Sequence, residues 1–481
     1  AAWFRQQVNR VGSELAENPE PEAPQEDDLG RRRGPPIERT FAMLSGGHAV
    51  SENLQLERIP PATAAAAELV PLDSIEGITI REMNWAPLIE GIDPEVDPLA
   101  KSIPADQHAL FFSSFEALVD AVDHARTAGT PVLRFAEPRG EDALTQAWYE
   151  AQLGLPMGLL SRRLGPEVVR SVALTGADPY LRTGADLALL FEPKDPAALL
   201  ALLEAQAALA ASKNPDAEPV EYSLGDIEVR GFASSDRTTS TYRAVFGGAI
   251  AVSNSQAQLE RLAEVYAGQR TALAALPEYK FFRQRYQRDD PQETGLLVIS
   301  DATIRRWCSP RWRIGASRRV RAAAVMADVQ ARHFDQLVAG RYKGRRLIVD
   351  DDRRVAGPLA VTARGAKSEI YGNLDFLTPI LELDFDRVTK AEAEAYAAWK
   401  EGYDRNWRRF FDPIAIQFTT RIDELAARHG HATDRQHRLP PDATDLRRRP
   451  DRSDRQRPPP GGTGAPGPGR QSRLPADALH E

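Results

Sequence analysis

A dense run of arginine and tryptophan near residue 310 is the first candidate for chemistry. Its six members are Arg305, Arg306, Trp307, Arg311, Trp312 and Arg313. Guanidinium groups contact phosphates and tryptophan rings stack on bases, so this composition suits a polyanion partner. Arginine on a helix also pairs with carboxylates or stacks on its own tryptophans, and no nucleic-acid-binding motif surrounds the run. The run therefore predicts either polyanion binding or internal packing.

Three carboxylates between residues 381 and 386 are the second candidate. Glu382, Asp384 and Asp386 alternate with apolar residues, so on a strand they would share one face. Such a face could hold Ca²⁺ or Mg²⁺ and serve a hydrolase or transferase. The solvated side of a half-buried strand produces the same alternation. The sequence is compatible with both interpretations.

Other residue types that carry chemistry are sparse. The single cysteine, Cys308, excludes an intrachain disulfide and a cysteine-based zinc site built from this chain alone. The sequence contains no H-E-x-x-H and no G-x-G-x-x-G motif. We therefore assign no catalytic residue and no cofactor, and we favour a protein that binds rather than catalyses.

The elements that would position these residues follow a repeated pattern. A short apolar strand, a capping residue and an amphipathic helix recur with strands at Ala109, Leu187 and Ala249, and more weakly at Leu296. This recurrence suggests a domain duplication at most, because its spacing is irregular.

Turn chemistry indicates how the strands pair. Gly225-Asp226 and Gly247-Gly248 each separate two predicted strands and suit two-residue hairpin turns. Runs of strands followed by a helix predict an α+β fold with antiparallel sheets, rather than a doubly wound parallel sheet.

The chain is long enough for more than one core. We expect an N-terminal helix and linker over 1–60, an α+β domain with the repeated units over 61–270, and a helical then α+β region over 271–427. The Arg-, Pro- and Gly-rich residues 428–481 predict a disordered tail. Their composition also fits an out-of-frame translation of GC-rich DNA, in which case the preceding region would be truncated.

Charge and hydropathy exclude some partners. The net charge of −8 argues against nonspecific binding to nucleic acid or anionic lipid, although a local basic patch is compatible with it. No apolar run is long enough to predict a transmembrane segment. Because the chain starts at Ala1, an upstream signal peptide could have been lost.

Three segments resemble a known group of proteins. They are the run from Ser253 to Tyr286, the Arg/Trp segment at 304–321, and the run from Asn406 to Pro413. Together they are similar to large uncharacterised bacterial proteins of planctomycete type, predicted to be exported and assigned to a family of unknown function. The resemblance covers roughly residues 100 to 420 and implies an α+β protein of the cell envelope. It supplies no catalytic residues.

These observations together predict a non-catalytic, extracytoplasmic binding or scaffolding protein. Its expected partner is a protein or another envelope component. One alternative is a carboxylate- or metal-dependent hydrolase or transferase that uses the acidic run. A second alternative is polyanion binding through the Arg/Trp segment.

Overall fold

The computed structural model describes the chain between residues 68 and 430, with gaps. The described ranges are 68–91, 93–129, 145–179, 181, 184–288, 290–340, 356–362, 365–407, 413–421 and 424–430. The predicted N-terminal helix and linker therefore lie outside the described residues. The predicted tail does as well, except for residues 428–430, which belong to the last strand.

Strands form where β-branched and other apolar residues run between turn residues. In the described ranges they are β1 Leu69–Pro71, β2 His108–Phe112, β3 Val169–Gly176, β4 Ala188–Pro193, β5 Ala217–Leu224, β6 Ile227–Ser234, β7 Ser240–Phe246, β8 Ala249–Ser253, β9 Gly295–Ile299, β10 Leu359–Thr362, β11 Gly365–Ser368, β12 Gly372–Asn373, β13 Arg387–Thr389, β14 Ile414–Arg421 and β15 Glu424–Gly430.

Most of these strands join one 10-stranded sheet within the described residues. Its order is β15-β14-β9-β2-β3-β4-β8-β7-β6-β5, and every neighbouring pair runs antiparallel. Gly225 and Gly247, with φ of +59° and +60°, open the two predicted hairpin turns. The predicted α+β class with antiparallel sheets is confirmed.

Helices occupy the segments with helical apolar spacing. In the described ranges the α-helices are α1 Ala86–Ile89, α2 Phe115–His124, α3 Thr145–Leu153, α4 Leu159–Val168, α5 Pro196–Ser212, α6 Gln256–Tyr266, α7 Pro277–Arg285, α8 Asp301–Trp307, α9 Pro310–Val338 and α10 Lys390–Trp407. None of the helices in these ranges combines the length and the apolar character needed to cross a bilayer.

All four predicted strand-to-helix units are present, as β2–α2, β4–α5, β8–α6 and β9–α8. In each unit a side-chain oxygen at the helix N-cap accepts a hydrogen bond from the backbone N–H three residues later. The pairs are Ser114 with Ala117, Asp195 with Ala198, Ser255 with Gln258, and Ser300 with Thr303. The domain duplication that these units suggest stays a prediction.

The predicted boundary between residues 270 and 271 does not separate two sheets. Strand β9, on its C-terminal side, pairs with β2 on the N-terminal side through partners such as Leu296 and Phe111. Strand β14 then pairs with the other edge of β9. Both sides of the boundary therefore contribute to one continuous sheet.

The sheet is covered on both faces, and its strands alternate between two cores. Ala109 and Phe111 of β2 belong to a core that also contains Leu259 of α6. Phe112 of the same strand belongs to a second core, together with Leu118 of α2 and residues of α3 and α5. The second face is the one that bears the cavity described below.

Candidate functional site

The arginines of helix α8 are engaged inside the protein. Arg305 Nε lies 2.5 Å from Asp301 Oδ2, one helical turn earlier. The Arg306 guanidinium lies 5.5 Å from the centre of the Trp312 ring, and its Nη1 is 3.7 Å from Asp106 Oδ2. Burial, reinforced by the nearby cation Arg261, lowers the pKa of Arg306 to about 10.

The remaining members of the Arg/Trp segment also contact the fold. Trp307 Nε1 donates to the backbone oxygen of Ala177 at 2.7 Å. Arg313 is 6% exposed, and its guanidinium lies 4.4 Å from the centre of the Trp399 ring. Arg311 donates to two backbone carbonyls of the segment that precedes β13.

The fold thus brings the six predicted residues together, and each has partners within the protein. These contacts match the internal packing that the sequence left open as one alternative. A polyanion-binding role for the segment stays a prediction.

The acidic run does not form the predicted strand. Residues Ile380–Glu382 form a 3₁₀ turn instead, preceded by Pro379. Ile380 and Leu383, three residues apart, are buried at 1% and 3% exposure, a spacing that suits a turn rather than a strand. The strand prediction is therefore wrong. The apolar residues buried here, Ile380 and Leu383, follow the three-residue spacing of a 3₁₀ turn and not the two-residue spacing of a strand.

The three carboxylates have different surroundings. Glu382 binds Arg237 through two hydrogen bonds of 2.6 and 3.0 Å, whereas Asp384 and Asp386 are exposed. Glu382 and Asp384 line a polar cleft that Lys367 also borders. Among the described residues, no group of three or more His, Cys, Asp or Glu side chains could hold a metal ion.

A large apolar cavity lies on the second face of the sheet. Its volume is about 690 Å³, and its wall is almost entirely apolar. The sheet contributes Phe112, Leu174 and Leu189, and the helices that cover this face contribute residues such as Leu118 and Leu153. Natural protein interiors contain few voids larger than a water molecule, so a space of this size is not ordinary packing.

The cavity extends from the surface to the sheet. Ala125, Gln146 and Pro156 belong to its lining and are exposed, whereas Leu153 and Leu187 belong to its lining and are buried. The exposed lining residues therefore mark a mouth, formed by the end of α2, the start of α3 and the connection from α3 to α4.

Polar side chains near the mouth bind one another. The Glu150 carboxylate accepts from Gln146 Nε2 at 2.5 Å and from the backbone N–H of Met157 at 3.2 Å. Gln206 Nε2 donates to Ser161 Oγ at 3.1 Å. A polar group of a ligand could therefore form hydrogen bonds at the rim, whereas the part of the ligand deeper in the cavity would contact only apolar side chains.

Tyr149 illustrates how the interior stays apolar. Its hydroxyl donates to the backbone oxygen of Leu181 at 2.8 Å and accepts from the N–H of Ala185 at 2.9 Å. Burial raises the pKa of Tyr149, so the hydroxyl stays protonated. Backbone groups use both the donor and the acceptor function of the Tyr149 hydroxyl. The part of Tyr149 that remains to line the cavity is therefore its aromatic ring.

The sequence identified many of these residues as helix stripes but not as a cavity wall. Phe115 and Leu118 form an apolar stripe on the helix that follows the strand at Ala109, and Leu199 and Leu203 form another on the helix that follows the strand at Leu187. In the fold both stripes face the same side of the sheet. The available signal was that two of the strand-to-helix units each place an apolar helix against neighbouring strands.

Comparisons with known proteins identify no relative. The chain matches no protein-family model, and neither the curated proteins nor the solved structures give a significant match.

Proposed function

We propose that this chain is a non-catalytic binding protein that holds the acyl chain of a lipid in its apolar cavity. The observation that carries the proposal is the cavity itself, about 690 Å³ in volume with an almost wholly apolar wall. Small-molecule sites typically enclose about 300–1,000 Å³ and are lined mainly by apolar side chains.

The energetics favour an occupied cavity. The cavity is open to solvent at its mouth, so water meets its apolar wall when no ligand is bound, and covering apolar surface contributes about 25 cal/mol per Å². An apolar ligand would cover this wall, and each of its buried methylenes would contribute about 0.8 kcal/mol.

The form of the cavity favours a chain-like ligand with one polar end. Its deep wall includes Leu187 and Leu199 and offers no partner for a polar group there. The polar side chains Gln146 and Glu150 lie at the mouth. A fatty acyl chain would place its hydrocarbon inside and its carboxyl or headgroup at this rim.

An extracytoplasmic location is part of the same proposal. It rests on the resemblance to exported proteins of the cell envelope, where lipids are abundant. The expected envelope partner is then a lipid rather than a protein.

Filling the cavity should abolish binding. Ala121 of α2 lines the cavity, so Ala121→Trp would place an indole in the space that the acyl chain needs. An indole in this space would displace several methylenes of the acyl chain from the apolar wall, at about 0.8 kcal/mol for each, so we expect the affinity for a long-chain polyene fatty acid to fall by at least about tenfold. The measurement is the fluorescence of this fatty acid, which increases in an apolar environment.

The matched control is Ala208→Trp. Ala208 is an exposed alanine of α5 that does not line the cavity, so this variant should bind the probe like the unmodified protein. Circular dichroism would confirm that both variants fold. The proposal would be contradicted if the unmodified protein did not bind the probe, or if both variants bound it equally well.

A further inference from the structure

Helix α4 presents leucines to solvent rather than to the core. Leu159, Leu160 and Leu164 are 87%, 59% and 41% exposed. The side of the helix that faces the protein carries the small residues Ser161 and Gly165, both buried. A surface helix ordinarily buries its large apolar residues, so the outer face of α4 is suited to an apolar partner.

This face adjoins the cavity mouth along the chain. Pro156 and Met157 line the cavity, and α4 begins two residues later at Leu159. Ser161, on the inner side of α4, also lines the cavity. A partner that contacts the leucines of α4 would therefore lie beside the opening.

Basic side chains accompany the leucines. Arg163 is exposed on the same face of α4. Arg162 holds the Asp123 carboxylate at 2.6 Å, and Arg126, with its side chain 70% exposed, lies 4.0 Å from the same carboxylate. Arg162 and Arg126 share the Asp123 carboxylate, and the carboxylates of Asp120 and Glu150 also act on Arg162, so this corner presents guanidinium groups together with carboxylates. Arginine is well suited to contact lipid phosphates.

The acidic residue on the outer face of α4 lies away from this corner. Glu167 is exposed near the C-terminal end of the helix, eight residues after Leu159. The two most exposed leucines, Leu159 and Leu160, are instead next to Arg162 and Arg163.

We propose that the outer face of α4 docks on a phospholipid bilayer, so that an acyl chain can pass between the bilayer and the cavity. This inference rests on the proposed acyl-chain binding. The leucines would enter the boundary between headgroups and acyl chains, and the arginines would contact the phosphates. The acyl chain would then reach the mouth without crossing water.

A bilayer fits this face better than a second copy of the chain. Stable protein interfaces bury about 800 Å² on each partner. Three leucines on a helix of 10 residues cover only part of such an area. Insertion into a bilayer needs no such complementary surface.

The test uses the whole chain with the double substitution Leu159→Glu and Leu160→Glu. Its probes are phosphatidylcholine vesicles containing phosphatidylglycerol for co-sedimentation, and the polyene fatty acid in vesicle-free buffer for cavity binding. We expect vesicle binding to fall at least about tenfold, together with the rate of fatty-acid transfer from vesicles. Binding of the fatty acid in buffer should not change, because neither leucine lines the cavity.

The matched control is the double substitution Leu337→Glu and Val338→Glu on α9, at residues that are 47% and 76% exposed; it adds the same two charges and should leave vesicle binding unchanged. Docking is overturned if the unmodified protein does not sediment with vesicles, or if the double variant sediments equally well. It is also overturned if the substitutions instead dissociate a dimer seen by analytical ultracentrifugation. If the unmodified protein does not bind the fatty acid in buffer, that result would instead contradict the proposed function itself.

Discussion

Replacing Arg283 with methionine should lower the free energy of unfolding by about 3–5 kcal/mol, because it would leave two buried carboxylates without their cation. Arg283 on α7 is 1% exposed. Its Nε lies 2.6 Å from Asp97 Oδ2, and its Nη1 lies 2.9 Å from both carboxylate oxygens of Glu293. Burial alone would lower the pKa of Arg283, but these carboxylates raise it above its usual value.

The network around Arg283 extends the effect. Tyr279 donates to the Asp97 carboxylate, and Gln417 of β14 donates to Glu293 at 3.1 Å. The arginine therefore connects α7 with the segment before β2 and, through Glu293, with β14. Urea unfolding followed by circular dichroism would measure the change.

The control for this prediction is Arg230→Met on β6. Arg230 also binds two carboxylates, those of Glu221 and Glu228, but all three side chains are largely exposed. Exposed ion pairs contribute little, so we expect no measurable loss of stability. Equal effects at Arg283 and Arg230 would contradict the importance assigned to the buried network.

The second large effect concerns Asp186, whose replacement by asparagine should stabilise the protein at neutral and higher pH. Asp186 is fully buried. One carboxylate oxygen accepts from the N–H of Ala177 at 2.8 Å, and the other has no hydrogen-bond partner. Burial raises the pKa of Asp186 from 3.8 to about 6, although Arg306 partly opposes this and Asp178 adds to it.

The sign of the pH dependence follows from this raised pKa. The contribution of Asp186 to stability is fully present below pH 3.8, decreases between 3.8 and about 6, and is lost above this range. The difference of two pKa units corresponds to about 3 kcal/mol. The advantage of Asp186→Asn should therefore be small near pH 4, increase to about 3 kcal/mol at pH 6, and remain constant above.

Urea unfolding of both proteins across this pH range measures the difference directly. Asparagine keeps an acceptor for the N–H of Ala177, so the local hydrogen bond need not be lost. A variant that is less stable than the unmodified protein throughout the range would contradict the assignment of a costly buried carboxylate.

Local chemistry explains which parts of the fold were predictable. Ser114, Asp195 and Ser255 cap helices through hydrogen bonds to residues only three positions later in the chain. Short sequence patterns therefore identify these helix starts. Thr389 caps α10 through an equally local contact, since its hydroxyl accepts from the N–H of Glu392 and the Glu392 carboxylate accepts from the N–H of Thr389.

Long-range packing explains what the sequence could not supply. The pairing of β9 with β2 joins residues about 190 positions apart, and no local pattern specifies it. At Glu382, apolar and acidic residues alternate as on a strand, but Pro379 and the distant Arg237 favour a turn. The cavity depends on how far α2 and α5 stand from the sheet, which the identity of their leucines does not determine.

Calorimetric titration with saturated fatty acids of increasing chain length measures whether the cavity holds an acyl chain. If the cavity of about 690 Å³ accepts an acyl chain, one fatty acid or a fixed small number should bind per protein. Each added methylene should then strengthen binding by up to about 0.8 kcal/mol until the cavity is full, after which the gain should stop. Affinity that does not depend on chain length, or no binding at any length, would contradict acyl-chain binding in this cavity.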